Sequence, residues 1–307
     1  MSIRPCPILL DMPLHIKKNI VDHLDLETRF QLRNCSKEFR DVVDNAPIIY
    51  YNFSFKYRSR TPRGADNGYE FSVSTSSSCL HRDFRGLPGN QSSDLFQNHF
   101  SRFLKNPRAK FELLYIDSDN FSEMHNQLNT VLSSLPQQIN VTSVSLEKCD
   151  LPNADCLMSV LPFIKPGYLE HINLGYIERD TDLNGITDLE QFKQAKSAEI
   201  AGRFIETPLP KLFHFKRLYC FSMPLLTVEN IQEIIDNALR HGESFERWAL
   251  QTRNPDDLMR RQRLPREERY INVPNSHHQL KLAHEGNLFY LTNEDNCLDT
   301  DVDTFDN

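Results

Sequence analysis

MPLHIKKNIVDHLDLETRFQLRNCSKEFRDVVD, from Met12 to Asp44, is the stretch on which the fold turns. Residues 13–46 read as three short helices in quick succession. Asp11 or Met12 can cap the first, with Pro13 in its first turn, where a missing N–H costs nothing. Ile16, Ile20 and Leu24 recur every four residues along one stripe, with Val21 beside them. Asp25 can cap a second helix that carries Leu26, Phe30 and Leu32. Ser36 can cap a third with Phe39, Val42 and Val43, and Pro47 ends the series.

A unit of about 40 residues rarely buries enough surface to fold without a metal, disulfides or a partner. These helices hold no plausible metal cluster, yet they carry about ten large apolar side chains. That is more than one small core face requires. Either some of them pack against another protein, or the stripe docks on the chain's own later segments. Periodicity alone leaves both open.

Beyond the helices comes a strand signal. Tyr51, Phe53, Phe55 and Tyr57 alternate with polar residues, placing four aromatics on one face. Residues 58–68 are turn-rich, Phe71 and Val73 suggest a return strand, and 74–93 are rich in Ser, Gly and Pro. Residues 50–93 are therefore expected to form an irregular bridge with a β-hairpin, between an N-terminal helical unit at 1–49 and a domain at 94–293.

That domain alternates strand and helix. Leu95, Phe96, His99, Phe100 and Phe103 have helical spacing. Apolar strands centre on Leu114, Val144, Ile172, Leu218 and Trp248, which lie 30, 28, 46 and 30 residues apart by subtraction. Helices are expected at 122–134, 153–163, 187–200 and 227–240. A strand–helix unit recurring about every 30 residues suggests a leucine-rich-repeat-like solenoid, although such repeats usually run roughly 20–29 residues. An ordinary α/β sheet with parallel strands is the alternative. Arg269–Val273, Gln279–His284 and Asn287–Leu291 read as antiparallel strands. Residues 294–307, with six acidic and no basic residues, read as a disordered acidic tail.

Composition narrows the function classes. The net charge of −7 argues against nucleic-acid binding over the whole surface. No apolar run approaches the roughly 20 residues of a membrane span. Seven scattered cysteines without a C-x-x-C pair point to a reducing compartment, cytosol or nucleus. Phosphate-loop and nucleophile-elbow strings are missing. His277-His278 and His284-Glu285 lack metal-ligand spacing, and Cys149 and Cys156 read as small buried hydrophobes. Lys56, Arg58, Arg60 and Arg63 among aromatics would suit RNA, and equally a solvated loop.

The opening stretch resembles the F-box. Met12-Pro13, Ile16, Ile20, Leu24-Asp25, Leu32-Arg33, Ser36-Lys37 and Phe39-Arg40 follow its pattern, with Met12 for the usual Leu and Phe39 where Trp is common. Residues 140–250 resemble the FTH-type domain attached to F-boxes in large nematode families. The match lies in Ile164-Lys165-Pro166-Gly167, Leu169-Glu170-His171-Ile172, Leu189 to Lys196, His214-Phe215 and Leu226-Thr227-Val228, with Phe192 where that family often has Trp. The resemblance implies a non-enzymatic, cofactor-free substrate adaptor of a Skp–cullin–F-box ubiquitin ligase. It also implies a docking face for the Skp-type subunit made of Met12, Pro13, Ile16, Ile20, Val21, Leu24, Leu26 and Leu32. An unknown protein substrate would bind the C-terminal domain. A scaffold without a ligase role and an RNA-associated protein are the competing functions.

Overall fold

In the computed structural model the three helices are α1 (Leu14–His23), α2 (Leu26–Cys35) and α3 (Lys37–Asp44). The structure describes residues 9–58, 68–76, 78–84, 91–118, 121–147, 155–181, 183–204, 209–223, 226–241, 244–252, 269–273, 279–285 and 288–293. The Asp25 carboxylate accepts from the Thr28 N–H at 2.8 Å, and the Ser36 hydroxyl accepts from the Phe39 N–H at 3.1 Å, so both expected caps are present. The start of α1 differs. Pro13 itself is the N-cap, in extended conformation, and its carbonyl accepts from the N–H groups of Ile16 and Lys17. A proline there loses nothing, because an N-cap N–H lies outside the helical ladder.

The chain forms two units, Met1–Val144 with Pro162–Tyr168, and Ser145–Leu161 with Leu169–Asn307. In the first, the helices are followed by β1 (Ile48–Tyr50), β2 (Asn52–Arg58), β3 (Gly68–Ser74), β4 (Cys79–Asp83), α4 (Gln91–Leu104), β5 (Ala109–Ser118), α5 (Phe121–Ser133) and β6 (Asn140–Glu147). β2, β3 and β4 form an antiparallel meander, and β1 and β2 both pair in parallel with β5. α4 supplies the crossover that a parallel pair needs.

The β-hairpin expected within residues 50–93 is β2–β3, and β4 extends it to a meander. Phe53, Phe55 and Tyr57 on β2 and Tyr69 and Phe71 on β3 are buried with Phe96, Phe100 and Phe103 of α4. Their rings stack at centroid distances of 4.3 Å for Phe55–Phe96 and 5.0 Å for Phe53–Phe100. The 96, 100, 103 spacing puts all three rings on one helix face. The fourth expected aromatic is displaced. A bend at Tyr51 separates β1 from β2, so Tyr50 turns inward and Tyr51 is 52% exposed. Arg58 reaches the buried Asp117 with two hydrogen bonds, at 2.9 and 2.5 Å.

The second unit contains α6 (Asp155–Val160), β7 (His171–Thr181), α7 (Asn184–Thr187), α8 (Glu190–Gln194), β8 (Ser197–Phe204), β9 (Arg217–Met223), α9 (Val228–His241), β10 (Arg247–Thr252), β11 (Arg269–Asn272), β12 (Gln279–Glu285) and β13 (Leu288–Asn293). β7, β8, β9 and β10 run parallel in chain order, and β13, β12 and β11 continue the sheet antiparallel from β10. The expected helix at 187–200 is therefore corrected. It is shorter, and Ser197–Phe204 is a strand that fills the 46-residue gap.

The architecture is thus N-terminal helices followed by a mixed sheet with alternating strands and helices. The finer leucine-rich-repeat-like description is not supported by a regular unit. Two short helices separate β7 from β8, a 3-10 turn at Leu209–Leu212 separates β8 from β9, and a 14-residue helix separates β9 from β10. Along the strands burial alternates. Ile172, Ile200, Leu218, Trp248 and Leu291 are buried, and Trp248 Nε1 donates to the Phe215 carbonyl at 3.0 Å. The acidic tail at 294–307 lies outside the described residues, as do Arg60, Arg63, Cys149, His277 and His278.

Candidate interaction surface on the N-terminal helices

The helical trio closes on a small core. Val21 of α1 meets Val42 and Ala46, with Leu32 and Val43 packed against them. Lys17, one turn before Val21, is buried too. It is tolerated because its ammonium pairs with Glu38 and lies 6.0 Å from the Phe39 ring. Arg33 and Asp44 tie α2 to α3 through two hydrogen bonds at 2.6 and 3.0 Å.

At 3.6 residues per turn, Lys17 and Val21 lie on one stripe of α1 and Ile16 and Ile20 on the adjoining one, with Met12 and Leu24 flanking the helix ends. The structure treats the two differently. Val21 is fully buried, whereas Ile16 is 36% exposed and Met12, Ile20 and Leu24 are half-buried. Pro13 is exposed. Leu14, which was not among the expected contact residues, is 55% exposed. It sits in the first turn of α1, on the side of Lys17 and Val21. Leu26 is 3% exposed and Leu32 is half-buried against the Val21 cluster, so Val21 and Leu26 belong to the interior.

The trio's other side is occupied by its own chain. The Phe30 ring meets Phe103 edge-on at 5.2 Å, the Leu26 N–H donates to the Ser78 hydroxyl, and Asn106 Nδ2 donates to the Ala46 carbonyl at 2.9 Å. Arg29 donates to the carbonyls of Asp22, Leu24 and Pro47. The two packing alternatives left open by periodicity are thus divided between helices. α2 and the turn after α3 dock on the rest of the first unit, while the outer stripe of α1 is covered only in part by the described residues.

Other candidate chemistry is engaged or absent among the described residues. No group of three His, Cys, Asp or Glu side chains is arranged to hold a metal. Burial pushes the Cys220 thiol up to about 12, so it is inert at neutral pH. Of the basic residues considered for RNA, Lys56 lies 5.9 Å from the Tyr115 ring and Arg58 is paired with Asp117. Among the described residues no helix is long and apolar enough to cross a membrane.

A small helical trio with an open apolar stripe, placed ahead of a mixed sheet, is the build of an interaction protein. The F-box domain model matches residues 9–50 and the FTH domain model residues 122–260. Over 265 residues, 81% of this chain and 68% of the relative, the sequence is 24% identical to F-box A protein 224 of Caenorhabditis elegans. The recognisable parts are an F-box followed by an FTH domain, each on its own stretch of the chain. F-box domains in general serve as adaptors that bind a Skp-type subunit and through it a cullin, and both domain types are typically interaction modules without catalysis.

Proposed function

We propose that this chain is the substrate-recognition adaptor of a Skp–cullin–F-box ubiquitin ligase acting in the cytosol or nucleus. Its F-box, within residues 1–49, docks a Skp-type subunit. A target protein is held by the domain at 94–293. The chemistry of ubiquitin transfer belongs to the other subunits, so the chain itself requires no cofactor.

One observation supports this function: α1 seals Lys17 and Val21 onto its own core and leaves the more apolar stripe beside them, Ile16 and Ile20, exposed or half-buried. Exposed clustered apolar surface of this kind is characteristic of an interaction site. The docking face is therefore assigned to Met12, Pro13, Ile16, Ile20 and Leu24, with Leu14 added and Leu32 at its margin. Val21 and Leu26 act behind it by holding α1 and α2 in place. The mode is helix-in-groove, for which a standard interface buries about 800 Å² per partner.

A pull-down with a purified Skp-type subunit tests it. Wild-type chain should capture the subunit and an Ile16→Asp/Ile20→Asp variant should not. A folded wild-type chain that captures none would remove the ligase role and leave the scaffold function in its place.

A further inference from the structure

On one face of the second unit's sheet the half-buried side chains of Tyr219, Arg247 and Tyr290 gather around the buried Ala249, so its centre is aromatic and cationic. Tyr219 on β9 and Tyr290 on β13 both stand directly opposite Ala249 on β10. Two strand spacings put their Cα atoms about 10 Å apart. The small Ala249 side chain leaves that gap open, and Arg247, two residues earlier on the same face of β10, fills it. Its guanidinium carbon lies 5.7 Å from the Tyr219 ring and 5.4 Å from the Tyr290 ring.

Both distances lie within cation–π range, so each ring contributes to holding the guanidinium. Nε is buried and has no hydrogen-bond partner, and among the described residues Arg247 forms no salt bridge. Its neighbour Arg217, by contrast, is paired with Glu246. A guanidinium held between two rings, with no counter-ion among the described residues, is an incomplete pair. Tyr and Arg are also the side chains that most often dominate protein–protein contacts.

We propose that Arg247, clamped between Tyr219 and Tyr290, anchors an Asp or Glu side chain in an acidic segment of the client protein. Resting on the adaptor function above, this assigns client recognition to the half-open sheet face of the FTH domain. The guanidinium fork takes a carboxylate through two parallel hydrogen bonds. A phosphate fits less well. Phosphopeptide sites gather several cations, and here Arg217 is already neutralised while Glu199 faces the same side, in register with Tyr219. Burial and the nearby Glu147 push the Glu199 carboxyl above its ordinary range, a sign that negative charge is already crowded there.

The test is selection of random nonapeptides displayed on phage against the full chain, in wild-type and Arg247→Gln forms. Wild type should enrich peptides with Asp or Glu at one fixed position, and Arg247→Gln should lose that preference. Synthetic copies of the selected peptide should bind about tenfold more weakly when the acid is replaced by its amide. Arg247→Lys, which keeps the charge without the fork, should lose a similar factor, and Tyr219→Leu, which removes one wall, about fivefold. An absence of selected binders, an acidic preference that survives Arg247→Gln, or tighter binding of a phosphoserine copy would each overturn the assignment. Capture of the Skp-type subunit is measured on the same proteins and should be equal for all of them. If wild type binds the acidic peptide but captures no subunit, the adaptor role fails and this site stands; the reverse pattern fails the site alone.

Discussion

Phe55 on β2 and Ile16 on α1 are both large apolar residues at regular spacing on an amphipathic element. Phe55 is completely buried, its ring stacked 4.3 Å from Phe96, and Ile16 is 36% exposed. The β2–β3–α4 layer has a facing element for every ring, so its apolar surface is used up within the unit. The helical trio has such an element on the α2 side, where Phe30 meets Phe103, while among the described residues the outer stripe of α1 is covered only in part. The difference teaches that apolar content by itself does not mark an interface. What marks one is apolar content left over after the chain's own packing is complete.

The contrast can be broken at several points. The largest effect on folding is expected from Phe55→Ala, which should cost about 3–5 kcal/mol in a denaturant melt. Ile20→Asp should weaken binding to a Skp-type subunit by about 2–5 kcal/mol, read by titration calorimetry, while leaving the melt within about 0.5 kcal/mol of wild type. An equal loss of stability would move Ile20 to the sealed side. Its neighbour Val21 should behave in the opposite way. Val21→Ala is expected to cost about 2 kcal/mol of stability through lost transfer energy and a residual cavity, with subunit affinity falling only as far as folding does. Ser36→Ala should cost about 1 kcal/mol, because the Phe39 N–H loses its acceptor.

The smallest effect is acid sensitivity at Asp25. Hydrogen bonds from the Thr28 N–H, and then the Thr28 hydroxyl, hold its carboxyl below the ordinary value. With the folded value depressed, its contribution is complete above the unfolded value near 4 and is lost as pH falls through the lower folded value. Asp25→Asn should therefore flatten the acid limb of the stability curve slightly below about pH 4, as measured by melts across that range.

The caps and the helical trio were legible in the sequence because they rest on local chemistry. Asp25 and Ser36 meet their N–H partners three residues on, and no distant contact is needed. The antiparallel end at β11–β13 was legible for a similar reason, since its period-2 alternation is strong. β8 was not. SAEIAGRF contains a single β-branched residue, Ile200, and its strand state comes from neighbours β7 and β9 on either side. Tyr51 was placed on the wrong face because strand parity was carried across a bend that composition does not reveal.

The interaction surface was half legible. Ile16, Ile20 and Leu24 were placed on the open stripe by their four-residue spacing. Val21 was grouped with them because it lies only about 100° from Ile20 on the helix, and which of the two faces inward is decided by Val42 and Ala46, more than twenty residues away. Lys17 carried no signal of burial at all. Its place depends on Glu38 and the Phe39 ring arriving from α3. The Tyr219–Arg247–Tyr290 clamp depends on strand pairing between residues 30 and 41 positions apart by subtraction, which no local pattern encodes.

The central claim is that a separate subunit covers the outer stripe of α1. A photo-crosslinking amino acid placed at position 16 of the full chain, irradiated with a Skp-type subunit present, tests this most directly. The expected result is an intermolecular adduct that disappears when Ile20 is also replaced by Asp. Adducts formed only within the chain itself, under conditions where the subunit is retained, would contradict it.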